Sequence, residues 1–250
     1  MKVIHLISGG DSGGAKTHVL SLLQHLNQTI TAQLVCFRDG PFAEEARQMG
    51  IPTMICGGNN VFRTRRKLAA YIREGGYEII HCHGSRANMI GAMLRKVTGL
   101  PVVTTVHSDY RLDYMGRPLS RLTYGTINTI ALRRLDYRIG VSDAMVDLLI
   151  SRGFPADRFY TIYNGIDFTP PPTQGDRLEY LRSLGADVDE NSVVVGIAAR
   201  MNPVKDMAPL VRGFAAGHAK CPRLRLLIAG DGPEKDKLTA LAAELGVERQ

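Results

Sequence analysis

Three stretches of the 250-residue sequence place anion-binding residues where a strand turns into a helix. The first is Gly9-Gly10-Asp11-Ser12-Gly13-Gly14-Ala15-Lys16-Thr17, directly after the apolar run KVIHLIS. Glycines allow positive φ and close approach of a ligand, and the free N–H groups at a helix start attract negative charge, so a phosphate-bearing ligand is the natural partner. A tight turn without a ligand is the plain alternative. The second is Arg200-Met201-Asn202-Pro203-Val204-Lys205, at the end of the run VVVGIAA. A planar guanidinium there, with the Lys205 ammonium at the start of the next helix, would clamp a diphosphate. Surface charges flanking a turn are the competing explanation. One strand later comes Ala229-Gly230-Asp231-Gly232-Pro233-Glu234, a second glycine turn with proline at a helix start.

Familiar phosphate motifs fit the first loop incompletely. A dinucleotide fingerprint needs its second glycine two residues after the first, but Gly9 is followed by Gly10 and Asp11. A P-loop comes nearer, with Gly10, four residues, then Ala15-Lys16-Thr17, where alanine replaces the glycine before the lysine. A P-loop protein has no need of the second and third stretches. His81 and His83 lie two apart on an expected strand and share a face, so they could share a metal, but no third ligand is evident and a core or cleft-lining role is preferred. His5 and His18 have no pattern around them. Asp187-Val188-Asp189 has the look of a metal-binding DxD, yet it sits in a turn before a strand, where a solvated turn is the better explanation.

The elements that must position these residues alternate in type. KVIHLI, AQLVCF, PTMIC, EIIHCH, PVVTTVH, YRIGV and YTIY are strand candidates, separated by helical stretches near 14 to 27, 41 to 49, 64 to 74, 86 to 98, 117 to 134 and 142 to 152. Strands apolar on both faces and separated by helices predict a parallel sheet covered by helices, a doubly wound α/β domain over 1–163. NGIDFTPPPTQGD then breaks the pattern, and its three consecutive prolines mark 164–176 as a linker or hinge. From 177 to 250 a helix near 175 to 183, the strand SVVVGIAA, a helix from about 205 to 219, the strand LRLLIAG and a helix from about 233 to 245 suggest the first part of a second Rossmann-like domain. Two strands cover neither both faces nor both edges of an open sheet, so this domain reads as incomplete.

Composition is that of an ordinary globular protein, with 44% hydrophobic and 22% charged residues. Four scattered cysteines without a CxxC pair fit a reducing cytoplasm, and the amino-terminal run is neither a signal peptide nor a membrane-spanning segment. Residues 1–170 carry 20 basic against 13 acidic residues, the whole net excess of +7. The tight cluster Arg63, Arg65, Arg66 and Lys67 suits a peripheral contact with anionic membrane at the inner face; a solvated surface is the alternative.

Taken in order, SGGAKTHV, EIIHCHG, VVTTVHSDY, IGVSDAM, IYNGIDF, IAARMNPVKD and LLIAGDGPEKDKL resemble the retaining glycosyltransferases of family 4, of GT-B fold. Each motif alone is weak; the ordered set is specific and runs along the whole chain. The resemblance implies a nucleoside-diphosphate-sugar donor held mainly by the second domain, and a saccharide or lipid-linked acceptor on the first. It also implies a reaction in the cleft, with no cofactor, no obligatory metal and no nucleic-acid partner. It makes Arg200 and Lys205 the pair that holds the donor diphosphate, and His107 a histidine lining the cleft near the transferred sugar. Gly13 and Gly14 become the loop approaching the donor phosphate or sugar, and Gly230 and Gly232 the turn near the nucleotide. Two departures stand out: Lys16 occupies a position where glutamate is common, and no Glu-x7-Glu occurs. The expectation is therefore sugar transfer with retention in cell-envelope or exopolysaccharide synthesis. The alternatives are a catalytically silent sugar-nucleotide-binding form and, behind it, a P-loop nucleotide hydrolase.

Overall fold

The apolar runs become strands and the intervening patterns become helices over nearly the expected residues. The computed structural model describes residues 1–10, 14–58, 60–111, 125–165 and 175–250. Gly13, residues 117–124 of the expected helix and residues 166–174 of the expected linker lie outside them. The chain divides into two compact units, Met1–Asp167 and Phe168–Gln250.

In the first unit the order is β1 (Lys2–Ile7), α1 (Gly14–Leu26), β2 (Thr31–Cys36), α2 (Pro41–Gln48), β3 (Thr53–Ile55), α3 (Val61–Gly75) and β4 (Ile79–His83). There follow α4 (Ser85–Thr98), β5 (Val102–Val106), α5 (Thr126–Arg134), β6 (Tyr137–Gly140), α6 (Asp143–Ser151) and β7 (Phe159–Thr161). Helix α3 starts earlier than the sequence pattern suggests because Asn60 caps it, its Oδ1 accepting from Arg63 N at 3.0 Å. It stops at Gly76, whose φ of 64° takes the left-handed cap.

All seven strands pair in parallel in the order β3-β2-β1-β4-β5-β6-β7. The chain winds outward from β1 to β3, then returns to the other side of β1, so the direction of winding reverses between β1 and β4. Period-two alternation sends Ile4 and Leu6 of β1 and Ile80 and Cys82 of β4 into one core with Leu68, Ile72, Ile90 and Leu94. Ile7 instead joins a second core with Val19, Leu20, Leu23, Leu34 and Phe42. Burying each such aliphatic side chain stabilises the fold by about 1.5–3 kcal/mol.

The second unit holds α7 (Arg177–Ser183), β8 (Val193–Ala198), α8 (Ala208–Lys220), β9 (Leu224–Ala229) and α9 (Lys235–Glu244). β8 and β9 pair in parallel, and Met201, Met207, Val211, Leu238 and Leu241 form the core beneath α8 and α9. Val193 and Val195 on β8 remain exposed. Here the structure corrects two expectations, and the first is that Lys205 is not at the start of a helix. Its backbone N–H donates to Asn202 O at 3.0 Å and Asn202 Oδ1 at 3.2 Å, closing a turn. Asp206 follows at φ 41°, which delays the helix to Ala208. Pro233 likewise precedes α9 rather than opening it.

Packing of α4 on the sheet gives a test of opposite signs. A Cβ on Gly91 would lie 2.4 Å from the Cys82 Sγ and 3.2 Å from Val102 Cγ1, whereas one on Gly213, inside α8, would meet nothing within 4 Å. Gly91→Ala should therefore lose about 1–3 kcal/mol through overpacking, and Gly213→Ala should gain about 0.5–1 kcal/mol through helix propensity. Urea denaturation of the two variants checks this; a stabilised Gly91→Ala would contradict the packing described.

Candidate functional site

In open parallel sheets a ligand crevice forms outside the carboxyl ends of the strands, where the winding reverses. At that place β1 runs out into Gly9 and Gly10, β4 into Gly84, and β5 into His107. Gly9 is demanded by its surroundings: φ is 84°, and a Cβ there would lie 2.5 Å from Arg38 O. Gly14 is not. It is the first residue of α1, exposed, and a Cβ there would meet none of the described residues within 4 Å. Lys16 points elsewhere, its ammonium paired with the Glu45 carboxylate of α2.

Sequence reading paired His81 with His83 and found no company for His5 and His18; the structure gathers all four with His107. In the β1–β4 register His5 faces His81, and Ile7 faces His83. Equal parity puts the side chains of residues 5, 81, 83, 105 and 107 on one face of adjacent strands. His5 Nδ1 and His83 Nε2 are 3.1 Å apart, and His83 Nδ1 and His107 Nε2 are 3.4 Å apart. His81 Nε2 meets Thr105 Oγ1 at 2.8 Å and its ring lies over His83, with centroids 4.4 Å apart at 26°. His18, from the first turns of α1, sets its ring edgewise against His107 at 4.9 Å.

Burial keeps these imidazoles neutral. It lowers His5 to about 3 and His107 to about 4, with the neighbouring His18 adding to both effects, and it holds His81 and His83 well below the ordinary value. Ring nitrogens of His5, His81 and His83 lie within 4.8 Å of one another, so the third ligand missing from the sequence pattern does exist in space. The geometry suits hydrogen bonding better than ligation. The rings of His5 and His83 are nearly parallel at 11° with nitrogens facing at 3.1 Å, so each in-plane nitrogen is directed at the other and not at a shared third point.

The strand end carrying His107 is fixed from both sides. Upstream, Thr104 Oγ1 donates to Asn88 Oδ1 at 2.7 Å, and Asn88 Nδ2 donates to Asn128 Oδ1 at 3.1 Å, all buried between β5, α4 and α5. Two residues downstream, Arg152 donates to both Asp109 oxygens at 2.6 Å, a fork that holds the Asp109 carboxyl below its usual range.

In the second unit the Arg200–Lys205 segment and the Gly230–Gly232 turn lie side by side at the carboxyl ends of β8 and β9. Met201 N donates to Asp231 O at 2.9 Å, and Glu234 N donates to Met201 O at 3.0 Å. A Cβ on Gly230 would lie 2.0 Å from Ala199 O, and one on Gly232 would lie 2.3 Å from Met201 O. Both glycines are thus required for the turn to grip the segment that presents Arg200. Arg200 and Lys205 are exposed, and neither forms an ion pair with another described residue. Arg225, by contrast, donates to the carbonyls of Asp187, Pro222 and Leu224 and is part of the framework. Asp189 accepts from Asn191 N and Ser192 Oγ within its own turn.

Protonating the buried histidines should unfold the first unit. His5 titrates at the ordinary 6.5 when unfolded and about 3 when folded, so between those values only the unfolded chain holds its proton. Stability should be full above about pH 6.5 and fall as pH drops toward 3, by up to about 1.4 kcal/mol per pH unit for this one group. Urea midpoints measured on the native chain and on His5→Leu should show a shallower acid slope in the variant; equal slopes would contradict the buried neutral state.

Comparison with known proteins identifies the family and the fold. D-inositol 3-phosphate glycosyltransferase of Mycobacterium sp. (strain KMS) is 26% identical over 96% of this chain and 60% of its own length. UDP-Gal:alpha-D-GlcNAc-diphosphoundecaprenol alpha-1,3-galactosyltransferase of Escherichia coli is 25% identical over 82% of this chain and 55% of its own. The chain thus spans less than two thirds of these curated relatives. Among solved structures, Anabaena Alr3699/HepE in complex with UDP-glucose superposes with a TM-score of 0.79 at 23% identity, over 99% of this chain and 67% of that one, which establishes a GT-B-type fold. The family described as Glycosyltransferase Family 4 matches residues 12–169, more than half of the sequence, and the chain belongs to it.

Proposed function

We propose that this chain binds a nucleoside-diphosphate sugar and serves transfer of the sugar, with retention, to a saccharide or lipid-linked acceptor in cell-envelope or exopolysaccharide synthesis. The observation that carries the reading is the Arg200 segment, gripped by the Gly230–Gly232 turn and leaving two exposed cations without an acidic partner among the described residues. An arginine fork and a lysine point charge at the carboxyl edge of a parallel sheet suit a diphosphate. As the bond from sugar to diphosphate lengthens, charge grows on the leaving oxygen, and both cations stabilise it. His107, with the exposed Gly14 at the start of α1, would face the sugar. Family membership and the names of the relatives support the transfer; the diphosphoundecaprenol acceptor of the Escherichia coli relative supports a lipid-linked one. No metal is part of this proposal. A P-loop hydrolase is disfavoured because Lys16 is committed to Glu45.

Titration of this chain with uridine and guanosine diphosphate sugars tests the clamp. Arg200→Ala and Lys205→Ala should each weaken the preferred donor by roughly tenfold to a hundredfold, about 1.5–3 kcal/mol for a charge-assisted hydrogen bond. Arg212→Ala, an exposed cation on α8, should bind as the native chain does. Equal affinity in all three variants would sink the assignment; binding without any release of nucleoside diphosphate in the presence of acceptors would favour the silent form.

Membrane contact belongs to the same proposal. On α3 Phe62, Arg63, Arg66 and Lys67 are exposed, and the half-buried Arg65 holds its guanidinium 5.8 Å from the Phe62 ring centre. An aromatic beside basic residues fits an anionic lipid surface. Among the described residues no helix is long and apolar enough to cross a membrane. Binding to phosphatidylserine-containing vesicles should fall as salt rises, since exposed charges are screened beyond about 10 Å at 0.1 M. Indifference to both lipid charge and salt would refute it.

A further inference from the structure

We infer that His83 is a positioning residue for His107: the in-line chain His5, His83, His107 fixes which nitrogen of His107 carries the proton. The inference rests on the proposed place of His107 beside the sugar, but its test does not. Both contacts of His83 are edge to edge, with nitrogens 3.1 Å and 3.4 Å from their partners and ring planes tilted by 11° and 30°. Its two ring nitrogens are therefore both engaged, one inward with His5 and one outward with His107.

A chain of neutral imidazoles has two coherent proton orders, because each ring donates from one nitrogen and accepts at the other. In the first, His5 Nδ1–H donates to His83 Nε2, and His83 Nδ1–H donates to His107 Nε2. In the second, His107 Nε2–H donates to His83 Nδ1, and His83 Nε2–H donates to His5 Nδ1. The inner end distinguishes them. His5 is fully buried, and its Nε2 has no hydrogen-bond partner among the described residues. The second order would strand an N–H at that atom, and orphaned buried N–H groups are rare; the first leaves only a bare lone pair. The first order is therefore the stable one, and it leaves the His107 proton on Nδ1 with Nε2 occupied by His83. The buried end of the row thereby decides the hydrogen-bonding polarity of a ring at the mouth of the crevice. His81 and His18 pack against the chain without joining it, since the nitrogen of His81 is spent on Thr105.

Long-range proton–nitrogen correlation on chain labelled with nitrogen-15 in histidine reads each tautomer without any donor or acceptor present, so failure of the transfer proposal leaves it intact. Near neutral pH, His107 is expected as a single Nδ1–H form. In His83→Leu that form should be lost to the Nε2–H form or to a mixture, because the donor is gone. In His83→Asn, whose amide nitrogen stands where the imidazole Nδ1 did, the Nδ1–H form should return. A native His107 in the Nε2–H form would overturn the inference even if neither variant folds, and so would a His107 spectrum unchanged in a folded His83→Leu.

Discussion

The rest of the first unit depends on one constraint, the parallel ladder that places β4 on the far side of β1 from β2. Parallel strands need covered crossovers, and those crossovers carry α1 and α4 to their positions. The reversal of winding then leaves one crevice at the carboxyl edge. Every feature of the candidate site in this unit descends from it: the glycine exit of β1, the exposed start of α1, the buried row from His5 to His83, and His107 at the end of β5. A one-residue slip between β1 and β4 would throw the histidines onto the opposite face, into the core built on Ile4, Leu6, Ile80 and Cys82.

Five imidazoles in and around a hydrophobic sheet are costly unless neutral and hydrogen-bonded. Burial supplies the neutrality and the strand register supplies the partners, which is why the polar row survives between two aliphatic cores. The residual cost is visible in the Nε2 atoms of His5 and His18, which have no hydrogen-bond partner among the described residues. Departures of this kind from uniform satisfaction concentrate where a fold keeps a site. The second unit handles its cations differently: Arg200 and Lys205 stay in water, and what is built with care is the backbone beneath them.

Much of the fold was legible in the residues. Strand bounds differ from the apolar runs by a residue or two, because parallel strands buried on both faces are continuous apolar stretches. Helix starts were less clear where a side chain rather than periodicity decides them, as with Asn60 before α3 and the Asn202 turn before α8. The histidine cluster was missed although its signals were present: His81 and His83 show the two-residue period, and the doubly wound order makes β1 the neighbour of β4. What sequence spacing could not show is the register that sets His5 opposite His81. Gly230 and Gly232 were assigned to a ligand, whereas the close approach of Ala199 O and Met201 O also requires them, a contact between segments some thirty residues apart that has no local signature.

Amide hydrogen exchange with and without a saturating nucleoside-diphosphate sugar tests most directly whether the carboxyl edges of both sheets are the ligand edge. Slowed exchange is expected at the start of α1 around residues 14–18, at residues 83–86 and 107–110, and in the segments 200–206 and 230–235. Protection confined to the amino ends of the strands or to the outer helices, with these five segments unchanged, would contradict the site proposed for this chain.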